Sequence, residues 1–350
     1  MRAYSAADSV SLAIQRTREF LFSSFNWGTY LKLGLVAILT EGSWSSLRSS
    51  SNGGSHSSGS GPMITSPSQI PMAWIAASVA AVLLVIVVSL FVFYLITRLR
   101  FAFFHCLIHK TKEIRPGWHL YREPAGRFFW LNVVVGFCFV ALVGLLSLPF
   151  VAGFWRLFQE TRRAGRPDIG MVLSLVLPLI PIIIVLVLVG LVTDLVLRDW
   201  MMPHYALDNA TAGEAWAEVW ASMKAEHRQF LAYILLRVVL PTIAMVALFM
   251  VLLIPGAILA GAFGAIAYGV HSAFASSTGG AAVAGSMLQV FFGLVALVFM
   301  ALAGICLGAP LSTGIREYAL MFYGGRYPVL GDVLDPPAPE LLRGAAPEPA

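Results

Sequence analysis

Two charged residues interrupt the most apolar runs of the 350-residue sequence, and they are its first candidates for chemistry. Arg237 lies inside one run, and Asp194 lies near the end of the run before it. A charge within a transmembrane helix usually faces a partner or water, because insertion alone costs about 2.5–3.5 kcal/mol. We therefore predict an intramembrane polar pair, Asp194 with Arg237, beside a polar cavity or transport path. The alternatives are an i,i+4 pair of Asp194 with Arg198 and an Arg237 side chain that extends toward the headgroups.

The histidines and cysteines form no catalytic or metal-binding pattern in the sequence. His105 and His109 are four residues apart but lack the intervening Glu of a zinc protease. The sequence has no Walker A, G-x-S-x-G or GxGxxG motif, and its basic residues follow the edges of apolar runs. We therefore expect no enzyme, no catalytic residue, no metal, no cofactor and no nucleic-acid partner. His56 is interpreted as a loop residue, and the other residues of these two types, interpreted as packing residues, are His119, His204, His227, His271, Cys106, Cys138 and Cys306.

The composition indicates a chain that resides mainly in lipid. Hydrophobic residues make up 58% and charged residues 12%, and the mean hydropathy is +0.80. A soluble domain usually has about 25% charged residues. About 20 mostly apolar residues cross a bilayer, so the sequence predicts an all-α fold, a polytopic transmembrane helical bundle with interfacial amphipathic helices. The five clear spans are 72–97, 128–153, 169–197, 229–254 and 286–309.

Two further stretches set the number of spans at about six, or seven. Residues 28–44 are short and carry Lys32 and Glu41, but we count them as a span. Residues 256–275 are rich in Ala and Gly and fit a seventh span or a re-entrant or interfacial helix. With six spans, most Lys and Arg residues fall on the side of both termini, which predicts that both termini are cytoplasmic.

The stretches outside the spans differ in composition, and they divide the chain. No apolar core of signal-peptide type precedes residue 28, so we expect no cleaved leader. We predict an N-terminal amphipathic helix over 1–27, a transmembrane helical domain over 28–330 and a disordered tail over 331–350. Within the transmembrane domain we predict a flexible Ser/Gly-rich external loop over 42–71 and two cytoplasmic amphipathic segments, 98–127 and 198–228.

The segment 198–228 carries the clearest helix signal outside the spans. Thr211 followed by Glu214 is a capping box, which predicts a helix start. Trp216 and Trp220 then share an apolar face, and with Trp200 they are the predicted interfacial tryptophans.

Charged residues also recur at fixed places along the chain. Arg98, Arg198 and Arg316 each begin an aromatic- and Met-rich segment after a span. We interpret the chain as three units, each an interfacial helix followed by a transmembrane hairpin. The alternative is the general preference of Arg and aromatic residues for membrane boundaries. In the N-terminal helix, Arg16 and Arg18 are candidates for contacts with lipid phosphates.

Two segments carry a resemblance to a known family. The sequences RDWMMPHYALDNATAGEAWAEVW (198–220) and SLAIQRTREFLFSSFNWGTYLKLGLVAIL (11–39) resemble an uncharacterised bacterial family of multi-pass membrane proteins. Its Arg-Asp-aromatic-x-x-Pro exit matches Arg198, Asp199, Trp200 and Pro203, and its basic residue in the next span matches Arg237. The chain is more distantly similar to the membrane domain of glycerophosphodiester phosphodiesterases. The resemblance implies a six-span bundle of the bacterial cytoplasmic (inner) membrane, without an assigned reaction.

The sequence supports three functional hypotheses. The first is a lipid-contacting or accessory membrane component without a catalytic site, which predicts a closed apolar bundle with membrane lipid as its partner. The second is a small transporter or channel that uses Asp194 and Arg237, which requires a continuous water-accessible cavity. The third, a membrane-embedded lipid enzyme, requires clustered acids or histidines at the interface, and the sequence pattern shows none.

Overall fold

The chain is helical throughout the residues described by the computed structural model, which are 4–23, 25–41, 72–164, 169–274 and 280–335. The predicted external loop 42–71 lies outside them, as does the predicted tail after residue 335. The helices are α1 Asp8–Phe22, α2 Trp27–Glu41, α3 Met72–Ile108, α4 Ile114–Leu120, α5 Arg122–Ala164, α6 Ile169–Leu195, α7 Met202–Leu207, α8 Ala212–Ala225, α9 His227–Phe274, α10 Gly280–Gly324 and α11 Pro328–Leu334.

Five of these helices are long and apolar enough to cross a membrane: α3, α5, α6, α9 and α10. This confirms the all-helical class and the five clear spans. The stretch 256–275 is no separate span in the described residues, because α9 continues without a break to Phe274 over 48 residues. A straight helix of that length measures about 72 Å, more than twice the hydrocarbon thickness of about 30 Å.

Residues 28–41 of the predicted sixth span are described, and they belong to one short helix. Helix α2 has 15 residues, or about 22 Å, and it buries Leu33, Ala37 and Thr40 against the rest of the protein. Gly34 lies so close to α10 that a Cβ atom on it would be 2.7 Å from the Cβ of Ala309. Helix α2 is therefore a packed element, and its Lys32 and Glu41 explain why the apolar run is short.

The packed interior lies at one end of the long helices, and we call it the basal core. It contains the ends of α3, α6 and α10 and the beginnings of α5 and α9, together with the short helices. The most apolar stretch of each of the five long helices contains no buried residue. The chain therefore folds around its base and leaves the apolar faces of its spans uncovered. The largest fully buried side chains of the basal core include Phe101, Phe104, Trp200, Phe230, Tyr233 and Phe322.

The short helices are tied to this base, and two sequence predictions change there. Arg16 of α1 does not reach outward to lipid: its Nε lies 3.1 Å from Glu317 Oε2, and its Nη1 donates to the Leu334 carbonyl at 3.1 Å. Gly331 and Leu334 are buried in α11, so residues 331–334 belong to the fold and not to the predicted tail.

The segment that contains the three tryptophans divides between core and surface. Thr211 and Glu214 form the predicted capping box at the start of α8, and these hydrogen bonds lower the pKa of the Glu214 carboxyl. Trp216 and Trp220 stack on each other and are 46% and 44% exposed. Trp200 differs from the prediction of an interfacial residue, because it is fully buried with its ring 4.8 Å from that of Phe230.

Candidate functional site

The structure does not bring the predicted pair of Asp194 and Arg237 together. Arg237 Nε donates to Asp199 Oδ2 at 2.9 Å, and its Nη2 donates to Asp199 Oδ1 at 3.2 Å. The Asp194 side chain is 61% exposed and lies 3.4 Å from Arg198 Nη1. The partner of Arg237 is therefore Asp199, and Asp194 has the i,i+4 arrangement that the sequence left as an alternative.

Three arginines and two carboxylates form one buried group, which we call the basal ion network: Arg198, Arg237, Arg316, Glu41 and Asp199. Glu41 Oε2 lies 2.8 Å from Arg198 Nη2 and 3.5 Å from Arg237 Nη2. Arg316 Nη1 lies 3.2 Å from Asp199 Oδ1, and its Nε lies 3.7 Å from Glu41 Oε1. None of the five side chains is more than 12% exposed. The network joins α2, α9 and α10 to the segment that follows α6.

That segment, Val196–Met201, is a π-helical turn, and it explains how the network forms. In its wide register the Met202 N–H bonds to the Leu197 carbonyl. The next donor would be residue 203, a proline without an N–H. The Arg198 carbonyl accepts instead from Arg316 Nη1 at 2.9 Å. Turns of this π-helical type are often found at functional sites. The sequence pattern alone does not predict the one at Val196–Met201.

The carboxyl end of α2 completes the network. The Thr40 carbonyl accepts from Arg198 Nη2 at 2.8 Å and from Arg100 Nε at 3.1 Å. Carbonyl groups at the end of a helix have no partner within it and carry partial negative charge, so they favour cations. Arg100 adds a fourth cation and the exposed Asp194 adds a third acid, so the region keeps an excess of one positive charge.

Arg237 lines two open cavities. The first, about 200 Å³, is almost entirely apolar. The second, about 300 Å³, is more polar. Guanidinium groups stay protonated in proteins, so the region can hold an anion but offers no acid or base from its arginines. The first cavity is lined by residues that include Val10, Ile14, Leu240, Ala244 and Leu311, and the second by residues that include Glu41, Leu191, Asp194, Arg198 and Val238.

A second polar cluster lies beside the capping box of α8. The Nδ1 atom of His204 lies 3.0 Å from Glu218 Oε2 and 3.9 Å from Asp208 Oδ2. One donor atom from each of the three residues fits within 4.8 Å of the others. This combination of an imidazole and two carboxylates could hold a metal ion, although the sequence led us to expect none. His204 and Asp208 belong to one turn, but Glu218 comes from the next helix.

Several residues of these sites gave a sequence signal that we interpreted differently. Arg198 and Arg316 were marked as membrane-exit arginines, and Glu41 as a charge tolerated at the end of a span. Asp199 was part of the quoted family motif but received no role. The sequence has an excess of arginines at the ends of its apolar runs. Because buried arginines need partners, this excess was the available signal for an ion network.

The comparisons with known proteins identify a family but no activity. Residues 4–333 match the model of a family described as a family of unknown function, DUF7544. No curated protein and no solved structure matches the chain. The distant similarity to the membrane domain of glycerophosphodiester phosphodiesterases therefore stays a prediction.

Proposed function

The chain belongs to the family of unknown function DUF7544, and we propose that it is a non-enzymatic membrane component that binds an anionic phospholipid at its base. The observation that carries the proposal is that Arg237 lines two cavities, one almost entirely apolar and one whose walls also carry charged side chains. An acyl chain and a phosphate-bearing headgroup need neighbouring sites of these two kinds.

The charge of the region favours an anion. Arginine recognises phosphate through its planar group of N–H donors, and the network has three arginines for two carboxylates. With Arg100 and Asp194 included, four arginines face three carboxylates, so one positive charge has no matching carboxylate. A lipid phosphate would supply the missing negative charge.

The shape of the apolar cavity favours a hydrocarbon chain. Its walls come from α1, α9 and α10, with Ile14, Leu240 and Leu311 among the lining residues. Ile14 is 63% exposed, although its neighbour Ala13 is buried in the basal core. Within a membrane, van der Waals packing of an acyl chain against these walls would stabilise the complex.

We place the protein in the bacterial cytoplasmic membrane as a multi-pass protein. The support is the five membrane-length helices together with the basic residues near their ends. In this orientation the basal core, which includes α1 and α11, faces the cytoplasm. The cytoplasmic leaflet is rich in anionic lipids, which agrees with the charge of the network.

A variant that fills the apolar cavity tests the proposal. Ala244→Phe is expected to reduce retention of phosphatidylglycerol about tenfold, a free-energy change of about 1.4 kcal/mol, as measured by native mass spectrometry of the purified protein. The matched control is Val246→Phe, because Val246 is 56% exposed and lies about 200° around the same helix. Equal retention of phosphatidylglycerol and phosphatidylcholine by the wild-type protein would contradict the proposal.

The second candidate function is a small transporter or channel. The observation in its favour is that Asp194 and Arg237 line the same open cavity, although they do not pair. With the three native cysteines replaced by alanine, a transport path predicts that Asp194→Cys reacts with a membrane-impermeant thiol reagent applied from either side of a sealed vesicle. Labelling from the basal side alone would favour the lipid-binding proposal.

A further inference from the structure

We propose that His204, Asp208 and Glu218 bind one divalent transition-metal ion, with zinc as the first ion to test. The site lies apart from the basal ion network, and the inference does not depend on the lipid-binding proposal. It rests on the donor set, on an unsatisfied buried nitrogen and on the groups that orient the ligands.

The donor set suits such an ion. Imidazole nitrogen binds Zn²⁺ and other late first-row metals, and carboxylates complete many of their sites. Ligands at about 2.0–2.2 Å from one ion lie roughly 3–3.5 Å from each other. The distance from His204 Nδ1 to Glu218 Oε2 is already 3.0 Å, and the distance to Asp208 Oδ2 is 3.9 Å. Small rotations of two partly exposed carboxylates would close the site.

The Nδ1 atom of His204 is buried and faces the two carboxylates. His204 is 1% exposed, and its Nδ1 lies 3.0 Å from Glu218 Oε2 without the geometry of a hydrogen bond. A buried polar atom without a partner costs about 1–3 kcal/mol. If Nδ1 has no proton, its lone pair faces two carboxylates, which is repulsive. A bound cation removes both problems at once.

The other ring nitrogen and one carboxylate are already oriented from outside the cluster. His204 Nε2 lies 2.6 Å from the Tyr323 hydroxyl, and the Tyr327 hydroxyl donates to Asp208 Oδ2. Metal-binding histidines and carboxylates usually have such outer partners, which fix the ring and raise the basicity of the ligand. Both tyrosines come from α10 and its end, so the cluster is supported by a third element.

The backbone holds the ligands at fixed separations. His204 lies in α7 and Asp208 follows its last turn. Asn209 then takes a left-handed conformation with φ of 55°, which Asn tolerates. The capping box at Thr211 starts α8, which carries Glu218. The side chains of Asp208 and Glu218 are 37% and 61% exposed, which leaves an entry path and room for water as a further ligand.

The test uses full-length protein without a polyhistidine tag, stripped of metal with EDTA in detergent. Titration calorimetry with Zn²⁺, and separately with Mn²⁺, is expected to show one saturable site in the wild-type protein. Glu218→Gln is expected to weaken binding by at least about tenfold. Because Glu218 is exposed, this variant keeps the buried core intact, and elution as a single peak in size exclusion confirms that it folds.

Asp208→Asn is the second ligand variant, and it keeps an oxygen acceptor for Tyr327. Glu123→Gln is the matched control, since it removes an exposed carboxylate outside the cluster. Binding that is weakened in both ligand variants and unchanged in the control supports the site. No saturable binding in the wild-type protein, or equal affinity in all four proteins, would overturn the proposal.

Discussion

Replacing Asp199 by alanine is expected to destabilise the basal core by about 3–5 kcal/mol, the usual result of removing one partner from a buried ion pair. Asp199 accepts from Arg237 through both oxygens, from Arg316 at 3.2 Å and from the Tyr233 hydroxyl at 2.8 Å. Its loss would leave three arginines with one remaining buried carboxylate, Glu41. Water cannot compensate at a position where the side chain is 1% exposed.

Thermal unfolding in detergent, followed by fluorescence-detected size exclusion, measures this effect. Asp194→Ala is the matched control, because Asp194 is also one partner of an arginine but is 61% exposed. Exposed i,i+4 pairs contribute about 0.3–0.5 kcal/mol, so this variant should unfold close to the wild type. Similar unfolding temperatures for the two variants would show that the network does not hold the base together.

Replacing Gly34 by leucine is expected to separate α2 from α10. Even the first added carbon would lie 2.7 Å from Ala309 Cβ and 3.2 Å from Ile305 Cγ2, closer than packed carbon atoms approach. Overpacking usually costs about 1–3 kcal/mol. The destabilisation by Gly34→Leu should reach or exceed about 3 kcal/mol, because displacing α2 also withdraws Glu41 from three arginines.

Exposure of a buried position on the same helix reports this separation. Ala37 is fully buried, so Ala37→Cys should be protected from a thiol reagent in the parent protein and labelled when Gly34→Leu is added. Gly28→Leu is the control, since a Cβ at Gly28 meets only the Asn26 side chain at 3.6 Å. If Ala37→Cys stays protected in the Gly34→Leu variant as well as in the Gly28→Leu variant, the packing of α2 does not depend on close contact at Gly34.

The sequence predicted the helical class and the long spans because apolar length and composition are local properties. The capping box of α8 was likewise predictable, since Thr211 and Glu214 satisfy each other within one turn. The sequence did not show that Glu41, near the end of the predicted sixth span, contacts arginines from three other elements. Local patterns carry no information on such partners.

The partner of Arg237 was missed for a related reason. Asp194 and Asp199 both lie near the end of one apolar run, and chain order does not show which of them faces α9. The π turn after α6 and helix α7 decide it, because residues 199–205 are buried without a break. An amphipathic helix would expose at least one of three consecutive residues. The same turn explains why Trp200 became a core residue.

The uncovered spans affect how the protein would meet membranes of different thickness. A bundle whose spans pack along their whole length must deform or tilt as one body. Here the interior contacts are concentrated at the base, and the most apolar stretches of the long helices bury nothing. Each hairpin can therefore change its own tilt to match the local hydrocarbon thickness. The base, with its ion network and its histidine cluster, would keep its geometry while the helices above it adjust.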